Sequence, residues 1–162
     1  MNASPSRAFA RKPVSRLLAL IILACALLPA GSAAAQEIRL QGLGGERLGD
    51  GELARGATIL VFWTSWSPHS RDIVARVNPL SQRWGGKARV VTVNFQEDRQ
   101  TVDGFLSAKG FDVPVFLDSD GAFSRKYAMA TLPGLLIIRE GQVLYKGRLP
   151  DDADRVIAES FR

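Results

Sequence analysis

The sequence predicts an α/β domain over residues 36–162, a central mixed β-sheet flanked by helices, behind a separate leader at residues 1–35. Three observations predict it. The run Ile59-Leu60-Val61-Phe62-Trp63 is apolar at every position and of strand length, the pattern of a strand buried on both faces. Further apolar runs then alternate with stretches of helical period. Near the end, Leu135 to Ile138 and Val143 to Tyr145 flank Arg139-Glu140-Gly141-Gln142, which reads as a hairpin and makes the sheet mixed.

Each element follows in order. Ile38, Leu40, Leu43, Leu48 and Leu53 are spaced by turn residues up to Gly56, predicting a short N-terminal hairpin and a helical turn. After the buried strand, Ser67-Pro68 opens a helix whose Ile73, Val77, Leu80 and Trp84 share one face. Gly85-Gly86 ends it, and Pro79 inside it predicts a kink. Ala88 to Phe95 is a strand. Val102, Phe105 and Leu106 outline a helix closed at Lys109-Gly110. Val113 to Leu117 is a strand, a short helix lies around Phe123 to Ala128, and the hairpin follows. The last helix runs from about Asp151 to Phe161, with Asp151, Asp152 and Asp154 at its positive end.

The leader has the three parts of a secretory signal. A basic stretch ends at Arg16, Leu17 to Leu28 is apolar, and Ala33-Ala34-Ala35 supplies small residues, so cleavage is expected between Ala35 and Gln36. The apolar run falls short of the ~20 residues of a membrane span. An uncleaved anchor, or lipidation at Cys25, is a minority reading, because the apolar stretch continues past Cys25 and Leu23 is bulky. Export to the periplasm is the expectation.

Charge excludes nucleic acid as a partner. The chain carries 21 Lys and Arg against 16 Asp and Glu, net +5. Arg7, Arg11, Lys12 and Arg16 lie in the leader with no acid, which leaves 17 basic against 16 acidic residues in the body. That balance provides no stripe to neutralise phosphates.

Four motifs in order resemble the thioredoxin superfamily, and more narrowly its exported TlpA/ResA-type branch, over residues 37–162. They are Val61-Phe62-Trp63-Thr64-Ser65-Trp66, then Ser67-Pro68-His69-Ser70-Arg71, then Val113 to Asp118 with Asp120-Gly121, and Thr131-Leu132-Pro133-Gly134. The resemblance implies a thioredoxin-like fold, a cis-proline at Pro133 and a shallow peptide groove built from Trp66, Pro68, His69, Leu132 and Pro133. In that groove Leu132 would bond an extended peptide through its backbone, a form of strand addition.

The departures matter as much. Ser67 and Ser70 stand where the family has its Cys-x-x-Cys, and the chain's one cysteine is Cys25, in the leader. Disulfide exchange needs a thiolate, which a serine hydroxyl cannot replace. Val61 stands where thioredoxins carry a buried acid. Glu97 matches a position where ResA-type proteins place an acid near their cysteines, although an exposed loop carboxylate beside Asp98 is the preferred reading.

The expectation is therefore a redox-inactive domain that binds an extracytoplasmic protein or peptide, without metal or cofactor. Ser67 as helix N-cap with Pro68 at the first helical position accounts for the motif structurally. The alternative is a thiol–disulfide oxidoreductase serving cytochrome c maturation or oxidase assembly, as the resemblance implies, if Ser67 and Ser70 are not the native residues. A minor alternative is a hydrolase with Ser67 or Ser70 as nucleophile, His69 as base, and Asp72 or Glu97 orienting it. His69 is the single histidine, so a metal centre has few ligands to draw on. Trp63 and Trp84 read as core.

Overall fold

The computed structural model describes residues 37–162. The predicted signal, its cleavage point and Cys25 lie outside them. Seven strands form one sheet: β1 (Leu40–Gly42), β2 (Arg47–Leu48), β3 (Ala57–Trp63), β4 (Arg89–Phe95), β5 (Val115–Asp118), β6 (Gly134–Arg139) and β7 (Gln142–Arg148). Their order across the sheet is β2-β1-β5-β4-β3-β6-β7. The β3–β4 and β4–β5 pairs are parallel and the others antiparallel, the mixed sheet the alternation predicts. The helices are α1 (Asp50–Leu53), α2 (Ile73–Trp84), α3 (Arg99–Leu106), α4 (Ala122–Lys126) and α5 (Ala153–Ser160).

The unbroken apolar run of β3 is explained by two cores. Strand side chains alternate between faces. Ile59, Val61 and Trp63 join Ile73, Val77 and Leu80 of α2, Val102 of α3 and Ile157 of α5. Leu60 and Phe62 face the other way, onto Leu40, Leu48, Leu53 of α1 and Phe123 of α4. Strand β6 divides likewise, with Leu135 and Ile137 in the first core and Leu136 and Ile138 in the second. Each such side chain contributes about 1.5–3 kcal/mol on burial, so packing on both faces holds β3 and β6 at the centre of the sheet.

The hairpin between β6 and β7 turns at Glu140 and Gly141, whose φ values of 50° and 79° are both positive. That is the tight two-residue turn whose twist matches antiparallel strands. A register shift interrupts the ladder between Ile137 and Ile138. Val143 pairs Ile138, Tyr145 pairs Ile137, and Leu144 is left over.

Several element ends shift by one or two residues, β5 starting at Val115 in place of Val113, and one boundary moves further. Ser67-Pro68 does not open the α-helix. It opens a 3-10 turn, Pro68–Ser70, and α2 begins at Ile73. Ser67 sits at the N-cap of that turn without a side-chain capping bond, so the capping role read from the sequence is not made. Pro79 lies inside α2, which runs through it to Trp84. Among the described residues no helix is long and apolar enough to cross a membrane.

Candidate functional site

Three chain segments meet at the carboxyl ends of β3 and β4, the end of a parallel sheet where α/β domains place their ligands. The first is the loop Thr64–Ser70, leaving β3. The second is Gln96-Glu97, leaving β4. The third is the Thr131–Pro133 loop that enters β6. Antiparallel pairing brings it there, because Gly134 lies opposite Phe62 and Arg148 opposite Gly134.

The Leu132–Pro133 peptide bond is cis. Pro133 is buried and its carbonyl accepts from Leu149 N at 2.9 Å. Leu132 is half-buried and Thr131 exposed. Glycine is required at 134, because a Cβ there would stand 2.8 Å from the Thr131 carbonyl oxygen. The chain packs backbone to backbone at this point.

The two serines differ from a reactive pair. Ser67 is 5% exposed and Ser70 fully buried, and the Ser70 Oγ has no hydrogen-bond partner. The Thr64 Oγ1 and Trp63 Nε1, just upstream, are also buried without a partner. A thiol loses little by such burial, whereas a hydroxyl forfeits its bonds with water. His69 and Pro68 are exposed, and Trp66 presents 69% of its surface to solvent.

Glu97 corrects the preferred sequence reading. It is not an exposed loop carboxylate; it is 9% exposed and lies beneath the Trp66 loop. Its oxygens accept from the Ser65 backbone N at 2.7 Å, from the Ser65 hydroxyl, and from Asn94 Nδ2 at 2.6 Å. Three donors around a carboxylate offset its desolvation and fix the loop that carries Trp66. Asp98 beside it does the ordinary capping work, accepting from Thr101 N at 2.7 Å at the start of α3. That backbone bond is the main reason its carboxyl is held below the usual carboxylate range.

These contacts do not join the residues of the hydrolase reading. No hydrogen bond joins His69 to Ser67, Ser70, Asp72 or Glu97, and Glu97 is committed to Ser65 and Asn94. Asp72, at the N-cap of α2, is exposed. What the segments do build is a shallow groove of about 290 Å³ lined by His69, Thr131, Leu132 and Arg148. It brings His69 and Leu132 together. Trp66 and Pro68 stand exposed on the neighbouring loop without lining it, and Pro133 lies buried behind it. Sequence reasoning missed Arg148 as a wall of the groove.

A Redoxin family model matches residues 29–160. The chain belongs to the Redoxin family. Among curated relatives it resembles the sporulation thiol-disulfide oxidoreductase A of Bacillus subtilis, 28% identical over 57% of this chain and 58% of the relative. It also resembles the thiol-disulfide oxidoreductase ResA of the same organism, 27% identical over 65% of this chain and 60% of the relative. The chain thus spans about three fifths of the length of these curated relatives.

Solved structures of this Redoxin chain's fold include StoA from Bacillus subtilis. It superposes with a TM-score of 0.64 at 24% identity, over 78% of this chain and 96% of StoA. The exposed lipoprotein thioredoxin Etrx1 of Streptococcus pneumoniae superposes with a TM-score of 0.67 at 17% identity, over 77% of this chain and 98% of Etrx1. At these identities the likeness establishes the thioredoxin-like fold.

Proposed function

We propose that this Redoxin-family domain is an exported, redox-inactive binding module, which holds an extended segment of a protein partner in the groove beside the Leu132–Pro133 loop. The single observation that carries the reading is the state of Ser70. Its hydroxyl is fully buried and unpartnered, and no cysteine follows residue 25. Disulfide exchange needs an accessible thiolate that attacks sulfur and a second sulfur that resolves the mixed disulfide. Two serines provide neither. Around them stand the cis peptide, the exposed Trp66 and a groove whose Thr131 and Leu132 backbone groups have no partner among the described residues.

One observation favours a second reading. The two curated relatives named above are thiol-disulfide oxidoreductases. That activity fits this domain only if cysteines stand at positions 67 and 70 in the native chain.

One comparison separates the two. Insulin disulfide reduction is measured for the purified chain and for its Ser67→Cys/Ser70→Cys variant, alongside a pull-down of periplasmic proteins by the unsubstituted chain. The binding reading expects no turnover by the unsubstituted chain, turnover by the double variant, and a captured partner. Turnover by the unsubstituted chain would overturn it.

A further inference from the structure

We propose that the groove takes an acidic extended segment of a protein, with Arg148 reading its carboxylates. The inference rests on the binding reading above and adds the chemistry of the partner.

The groove's lining carries one fixed positive charge and no negative one. Arg148 is among its four lining residues, and no carboxylate is. Arg148 is exposed and enters none of the ion pairs among the described residues. The register of the hairpin extends the charge. Lys146 lies opposite Leu136 and Arg148 opposite Gly134, so both project on the same face of β7, and Lys146 is also exposed and outside those ion pairs. A guanidinium with no internal partner, next to a second cation and no acid, favours carboxylates and disfavours basic segments.

The rim specifies a peptide in preference to a small anion. Thr131 and Leu132 belong to no strand, and their backbone N–H and C=O groups have no partner among the described residues. Paired donors and acceptors along an exposed rim suit the backbone of an added strand, which a phosphate or a lone carboxylate cannot match. Trp66, three residues before His69, adds an exposed indole for an apolar side chain of the same segment.

The test titrates the full chain with two fluorescein-labelled peptides, one alternating glutamate with valine and one alternating lysine with valine. Backbone amide shifts of Thr131 and Leu132 locate binding. The glutamate peptide is expected to bind at least about fivefold tighter than the lysine peptide, a preference that weakens as salt is raised. Arg148→Glu should abolish or invert that preference while far-ultraviolet circular dichroism stays unchanged. Equal binding of both peptides at Thr131 and Leu132, insensitive to Arg148→Glu, would overturn the acidic preference and leave the groove reading standing. Failure of both peptides to move those amides would overturn both. Inorganic phosphate moving them as strongly as the glutamate peptide would replace the peptide with a simple anion.

Discussion

Two connections leave the same end of the sheet and each runs into a helix, yet they are held in opposite ways. Between β5 and α4, the chain caps itself. Asp118 is 1% exposed and accepts from Phe123 N at 3.0 Å and Ser124 N at 2.8 Å, while Asp120 accepts from Ala122 N at 2.9 Å. Gly121 takes the left-handed φ of 69° that lets the chain turn into the helix. The first backbone donors of α4 are thus satisfied within a few residues. Between β3 and α2, neither Ser67 nor Asp72 makes a side-chain capping bond. The loop is held from outside, by Glu97 on the neighbouring strand's exit, 32 residues away from Ser65. The self-capped connection has no donors to spare and serves the fold. The other leaves its helix start without a side-chain cap.

Substitutions can break that contrast, and the largest effect is expected at Asp118. Asp118→Ala strands two buried N–H groups and should cost about 3 kcal/mol or more, read as a drop in the urea midpoint with unchanged slope. Glu97→Gln is expected to cost less, about 2 kcal/mol, because the amide keeps one acceptor for three donors. Its signature is local: hydrogen exchange at Ser65 and Trp66 should accelerate more than in Asp118→Ala at equal global stability. If Glu97→Gln leaves that exchange unchanged, the loop is not held by the carboxylate.

How much of this was legible depends on the distance between partners. The β3 run and the Glu140-Gly141 hairpin are local patterns, and both read correctly from neighbouring residues. The groove's Leu132 and His69 were reachable through motif resemblance. Glu97 was misread because its burial is decided by Ser65 and Asn94 closing over it, and Ser65 is remote in sequence. Ser67-Pro68 suits an α-helix cap, but a 3-10 turn begins at the same pair.

Smaller effects sharpen the comparison. Ser70→Ala removes an unpartnered buried hydroxyl and should raise stability by about 1 kcal/mol, measured by thermal melting. A loss of stability would mean that the hydroxyl has a partner after all. The smallest effect belongs to Asp98, whose carboxyl is lowered by the Thr101 backbone bond. A lowered folded-state value stabilises above the ordinary carboxylate range and is lost as pH falls through the folded value. Asp98→Ala should therefore lose slightly more stability at neutral pH than near pH ~2, and the two proteins should converge in acid.

The unpaired Leu144 in β7 has a consequence for heredity of the groove. Counted from the Glu140-Gly141 turn without interruption, the strand would bring Gly147 opposite Gly134 and turn Tyr145 away from the core it packs against. The one-residue slip reverses the phase of everything downstream, so Tyr145 is inward and Lys146 and Arg148 share the groove's side. Leu144 is left 38% exposed as the mark of that slip. A lineage that lost Leu144 would keep Tyr145 inward and Arg148 in the groove, whereas one that paired Leu144 into the ladder would bring Gly147 opposite Gly134 and move Arg148 out of it.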